Sequence, residues 1–212
     1  MATTGREDRA DIAIKASDGT GAERVLLADE GINWPSSGSP DGEWLAVEHR
    51  DVNDSSFDVW MVAPSGESRE FLATPANEGQ AAFSPDGRWI AYRSDQSGRF
   101  EVYVEPFPGP GERVIVSVRG GTSPVWSHDG GELYFRQDTA VMAVAVDTTD
   151  EFSAGTPRHV VDGHYWLDPT GHIAFGVFPD GKLLMVDTGQ ANEIHVVLNW
   201  VEELKRLVPS GN

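Results

Sequence analysis

The chain has 212 residues and a formal net charge of −18. That length suits one domain or two small ones, and that charge makes phosphate backbones and anionic lipid poor partners. Hydrophobic residues make up 39% of it, with seven Trp and nine Phe and no Cys, which excludes a disordered acidic tail, a disulfide framework and a thiol nucleophile.

Residues 1–9 contain no apolar core of a secretory signal, and no apolar run is long enough to span a bilayer. They are expected to be a disordered leader on a cytoplasmic chain. Asp11-Ile-Ala-Ile, a turn at Asp18-Gly19 and Arg24-Val-Leu-Leu then read as a hairpin. Ser39-Pro40-Asp41-Gly42 follows, and after it the apolar run Trp44-Leu45-Ala46-Val47. A second hairpin runs from Asp58-Val-Trp-Met-Val through Pro64-Ser65-Gly66 to Arg69-Glu-Phe-Leu.

The pattern then repeats. Ser84-Pro85-Asp86-Gly87 precedes Trp89-Ile90-Ala91-Tyr92, and Glu101-Val-Tyr-Val turns at Pro108–Gly111 into Arg113-Val-Ile-Val. Ser127-His128-Asp129-Gly130 and Phe178-Pro179-Asp180-Gly181 are two further echoes, each followed by an apolar strand. The turn Asp recurs at steps of 45, 43 and 51 residues. Pro presets φ, Asp bonds its own backbone and Gly accepts positive φ, so the phrase makes a sharp turn. The continuous apolar run after it predicts a strand buried on both faces. Asn199–Leu207 alone has helical pattern, with a capping Asn and charges matched to the helix ends.

Four short strands per repeat of about 40–50 residues define a β-propeller blade, with strands a and b around the Pro-Asp-Gly turn and c and d as the hairpin. The expected fold is therefore an all-β propeller of about four blades over 10–198, with a C-terminal helix and tail over 199–212. Ser84–Tyr92 together with Glu101-Val-Tyr-Val resembles the WD40-like PD40 repeats of TolB-type propellers. The whole pattern, including Val196–Val208, resembles the C-terminal propeller region of bacterial serine/threonine protein kinases. The kinase signatures themselves are missing from this chain, so kinase activity does not carry over. The resemblance implies a sensor or protein-interaction module.

Seventeen strands are read: c and d, three full blades, then a, b and c. An open arc exposes strand edges. Either the starting d strand completes the last blade within one chain, closing a four-bladed ring, or two copies pair their termini into an eight-bladed one. The dimer is the preferred expectation, because blades shaped for a larger ring do not close at four.

Catalytic motifs are sparse. Gly38-Ser39-Pro40-Asp41-Gly42 is a turn and no nucleophile elbow, and phosphate-cradling glycine patterns are missing. In a propeller the d–a and b–c loops share one rim. His49, Glu78, His164, Asp168 and His172 fall in such loops or at their edges, and imidazole with carboxylate suits zinc or another divalent transition metal. Such an ion could activate water for ester or phosphoester hydrolysis. Solvated or capping histidines are the plainer role for these positions. Glu30, Glu48 and Trp166 are candidates for a ligand pocket at the same rim. His128 reads as a turn residue, and His159 and His195 as strand positions. Asp41, Asp86, Asp129 and Asp180 lie a blade apart and cannot share one calcium ion. The leading expectation is a module binding a peptide or small molecule; the alternative is a metal-dependent hydrolase.

Overall fold

The structure is a computed structural model that describes residues 2–6, 9–163 and 173–186. Every regular element among these residues is a strand. The first blade holds β1 (Ala2–Arg6), β2 (Arg9–Ile14) and β3 (Arg24–Leu27). The second holds β4 (Ile32–Gly38), β5 (Leu45–Arg50), β6 (Asp58–Val62) and β7 (Ser68–Leu72). The third holds β8 (Glu78–Phe83), β9 (Trp89–Ser94), β10 (Glu101–Pro106) and β11 (Val114–Ile115). The fourth holds β12 (Thr122–Trp126), β13 (Glu132–Gln137), β14 (Ala140–Asp147), β15 (Ser153–Ala154) and β16 (Arg158–Asp162). β17 (Phe175–Val177) and β18 (Leu183–Met185) begin a fifth.

Each blade is an antiparallel meander, and the three complete ones match the expected a, b, c and d strands. Their a strands stand side by side: β4 packs beside β8, β8 beside β12, and β12 beside β17. Sheets radiating from a row of inner strands make this a β-propeller. The ends differ from expectation in one respect. Ala2–Arg6, expected as part of a disordered leader, is β1 and pairs on β2 from Ala2↔Ala13 to Arg6↔Arg9. The first hairpin thereby gains a b strand. Ala10 also pairs parallel with Ile32, which joins the first blade to the second. The expected helix at 199–207 and the strand around His195 lie outside the described residues.

Both faces of the b strands β5, β9 and β13 are buried, as the apolar runs require. Leu45 and Val47 pack with Ile12, Leu26 and Leu27 of the first blade. Ala46, between them, joins a cluster with Ile90, Tyr92 and Phe83 of the third. Trp89 and Ala91 turn the other way, toward Leu133, Phe135 and Trp126 of the fourth. Tyr134 faces the opposite side and meets Val160, Phe175 and Leu183. The core is thus four seams between blades, and burial of alternate residues in neighbouring seams is what holds the arc together.

The turns explain the recurring phrase. Ser84 Oγ donates to Asp86 Oδ1 at 2.5 Å and accepts from Trp89 N at 3.0 Å. Asp86 Oδ1 accepts from Arg88 N. The same bonds occur at Ser39-Asp41-Trp44 and Ser127-Asp129-Glu132. Gly42, Gly87, Gly130 and Gly181 sit at φ of 76, 71, 74 and 79°, the conformation that favours Gly. At the fourth turn Phe178 replaces Ser, and its backbone closes on Lys182 instead.

Candidate functional site

The d–a and b–c loops meet on one rim, as the blade geometry requires. Asn77 Oδ1 accepts from Phe57 N in one b–c loop, and Asn77 N donates to Asp95 Oδ1 in the next. Gly121 N donates to Phe100 O in the same manner.

His49 lies on this rim and is 6% exposed. Its Nδ1 donates to Asn33 Oδ1 at 2.9 Å, since Asn33 Nδ2 is turned to Asp29 Oδ1 at 3.0 Å. Asp29 Oδ2 lies 3.5 Å from the same Nδ1, and Gly31 N donates to Asp29 Oδ1. The ring lies against Trp60, tilted by 35° with centroids 4.2 Å apart. His49 therefore ties the d–a loop of its own blade to the b strand.

Glu78 is 1% exposed. Thr74 Oγ1 donates to its Oε1 at 2.5 Å, while Oε2 is buried with no hydrogen bond. Burial raises the Glu78 carboxyl above the usual range despite the Thr74 bond. Asp58, cross-strand from His49, is raised by burial and then by the charges of Glu78 and Asp54. Glu101 occupies the position of Asp58 in the next blade. It accepts from Arg99 Nε at 2.6 Å, from Ser117 Oγ and from Gly120 N. These carboxylates hold the loops that surround them.

Of the pocket candidates, Glu30 is exposed at the loop surface. Glu48 sits beside His49 on β5 but serves the seam toward the third blade. Its Oε1 accepts from Gln80 N at 2.7 Å. Gln80 Oε1 in turn accepts from Ser123 N at 2.6 Å. Gln80 and Ser123 both adopt φ of 54° at bulges in their inner strands, which turn these N–H groups toward the preceding blade. A relay from Glu48 through Gln80 to Ser123 thus links β5 to the inner strands β8 and β12, across three blades. The sequence signal for it was weak, because bulge positions carry no fixed residue type.

His164, Trp166, Asp168 and His172 lie outside the described residues. Among the described residues, no group of three His, Asp or Glu side chains is arranged to hold a metal ion. Of the proposed ligands, only His49 and Glu78 are described, and both are engaged as above. The b–c loop at Asp51–Ser56 consists of exposed Asx turns on Asp51 and Asp54. A cavity of about 360 Å³ opens at the opposite end, between the Pro-Asp-Gly turns, lined by Pro40, Phe83, Pro85, Trp126 and His128. Sequence reasoning did not anticipate it, because each lining residue was already accounted for by turn or core.

No family model matches the chain. An uncharacterized protein of Agrobacterium fabrum is 29% identical over 126 residues, which cover 58% of this chain and 42% of that protein. Among solved structures, a TolB-type protein from Agrobacterium tumefaciens is 20% identical, with a TM-score of 0.57 over 84% of this chain and 65% of that one. A puromycin-hydrolyzing peptidase of Mycobacterium tuberculosis is 14% identical, with a TM-score of 0.61 over 87% of this chain and 34% of that one. A gluconolactonase of Xanthomonas campestris is 15% identical, with a TM-score of 0.52 over 78% of this chain and 59% of that one. These likenesses establish the propeller fold, and the chain spans less than two thirds of each of these proteins.

Proposed function

We propose that this chain is a propeller binding module that takes a peptide or small molecule at its channel. The observation that carries this reading is the relay Glu48–Gln80–Ser123, which fixes β5 and the inner strands β8 and β12 to one another through buried bonds from backbone N–H groups to side chains. A wall held in this way is preorganised, and preorganisation reduces the ordering cost of binding. The resemblance to kinase-borne propellers supports the same use, as a sensor separate from any kinase activity. A ligand-induced rise in melting temperature, without turnover of that ligand, is the expected result. Chelator-sensitive hydrolysis of an ester or phosphotriester by the purified protein would replace this reading with the metal hydrolase.

Pairing of two copies into one ring is part of the proposal. Its support is apolar surface at both ends of the arc: Val25 in the first blade, and Phe178, Leu184 and Val186 in the last sheet. Native mass spectrometry tests it, and a monomeric mass at micromolar concentration would remove it.

A further inference from the structure

Arg93 has a setting that neither the fold nor the relay explains. It lies near the end of β9 that enters the b–c loop, cross-strand from Gly79 of β8 on one side and Val102 of β10 on the other. Glu48 and Arg136 hold the same position in the b strands of the neighbouring blades. The Arg93 side chain is half-buried, and its Nε is fully enclosed with no hydrogen bond. No described residue accepts a hydrogen bond from its guanidinium or forms an ion pair with it. Among the described residues its close partner is the ring of Phe100, 4.7 Å from Cζ to centroid.

A guanidinium carries five donors in a planar fork, and leaving the enclosed Nε–H unpaired is costly. In a chain of net charge −18 an arginine has many carboxylates to choose from. The nearest, Glu48 and Asp95, act on Arg93 only beyond ion-pair distance, and Glu48 Oε1 is already committed to Gln80 N. The cation–π contact with Phe100 holds the guanidinium plane without consuming its N–H groups. The fork is therefore fixed in place, and among the described residues nothing takes up its N–H groups.

We propose that Arg93 receives an oxyanion beside the b–c loop of the third blade, and that the module's ligand is a small carboxylate-bearing molecule docked on this fork. This rests on the binding-module reading and names its ligand class. A carboxylate matches the fork bidentately, and a phosphate shares that geometry. Burial lowers the pKa of Arg93 while Glu48 and Asp95 oppose that shift, so an arriving anion would relieve a desolvated cation.

The test follows the ¹⁵N–¹H resonance of Arg93 Nε, identified by its loss in Arg93→Lys. Sodium succinate, its uncharged diamide and inorganic phosphate are the probes. Succinate is expected to move the resonance saturably and the diamide to leave it unmoved. Arg93→Gln is expected to weaken succinate binding, read from Trp fluorescence, by about tenfold or more, with Arg93→Lys intermediate. Glu48→Gln retains an acceptor for Gln80 N and removes the competing charge, so it is expected to tighten succinate binding severalfold. Saturation by phosphate alone would overturn the carboxylate assignment. An unmoved resonance with all three probes would overturn the site. If an uncharged ligand then still raised the melting temperature, the binding module would stand without it; if no ligand of any class did, the module reading would fall as well.

Discussion

Gln80 N donates to Glu48 Oε1 at 2.7 Å across the seam between the second and third blades, and both residues are buried. The bond matters because Gln80 sits at a bulge with φ of 54°, where its N–H cannot join the ladder of its own sheet. Glu48→Ala would leave that N–H buried and unpaired, at a cost of about 1–3 kcal/mol. Glu48→Gln keeps an acceptor and should cost less. Gln80→Ala removes the acceptor for Ser123 N and should cost a similar amount one blade further on. Urea denaturation of the three variants, with unchanged m-values, measures this.

His49 acts as a rim tie in this structure, and that use has its own consequence. His49→Ala would forfeit the Asn33 bond and the ring contact with Trp60. A loss of about 1–3 kcal/mol is expected. His49→Gln can restore a polar contact to Asn33 and should recover part of it. Melting temperatures of both variants separate a tie from a side chain that contributes nothing to stability.

The stability of the chain should pass through a maximum on the acid side of neutrality. Hydrogen bonds from Ser39, Ser127 and Lys182 hold Asp41, Asp129 and Asp180 below the ordinary carboxylate value. Asp86 is also lowered, by Ser84 and Arg88 against the opposing effect of its burial. Groups lowered in the fold stabilise it above their unfolded value of 3.8, and that stability is lost as pH falls through their folded values. Glu78 and Asp58 act in the reverse sense. Burial raises both, so the folded chain binds protons first and gains stability as pH falls from neutral toward 4.5, the ordinary value for Glu. Glu78→Gln should flatten the neutral-to-acid limb and leave the steep loss at lower pH intact. Denaturation midpoints against pH for wild type and Glu78→Gln test the assignment, and an unaltered upper limb would rule it out.

The blade plan was legible because its carriers are local. Ser-x-Asp-Gly turns bond within five residues, and the apolar runs after them mark strands buried on both sides. Gly87 and Trp89 announce their places by residue type alone. The rim was legible only as a location. His49 was visible as a histidine in the right loop, but its partners Asn33 and Asp29 come from the strand across the sheet and the loop before it. Position within a blade does not reveal which side chains are already engaged. Glu48 read as a pocket wall because nothing local shows that a bulge 32 residues later needs its carboxylate. Arg93 went unnoticed for the same reason: an arginine in a strand looks solvated until its neighbours are known to leave it unbonded.

Two glycines in this fold resist substitution for different reasons, and the difference can be measured. Gly42 sits at φ +76° with open space where a Cβ would go, so Gly42→Ala meets only the left-handed backbone penalty of about 1–2 kcal/mol. Gly121 has no positive φ, but a Cβ there would lie 2.6 Å from Ser117 Cβ and 3.0 Å from Val102 Cγ2. Neither atom is the free end of a flexible chain. Ser117 also donates from its Oγ to Glu101 and accepts from Val102 N at 2.8 Å, so pushing it aside breaks two buried bonds together with the packing. Overpacking costs about 1–3 kcal/mol before those bonds are counted. Gly121→Ala should therefore destabilise the chain more than Gly42→Ala. In Gly121→Ala, amide exchange should quicken at Val102 and Gly120, whose N–H groups are held by Ser117 and Glu101. In Gly42→Ala the exchange at those two amides should be unchanged, because the turn belongs to the preceding blade and lies at the opposite end of the strands.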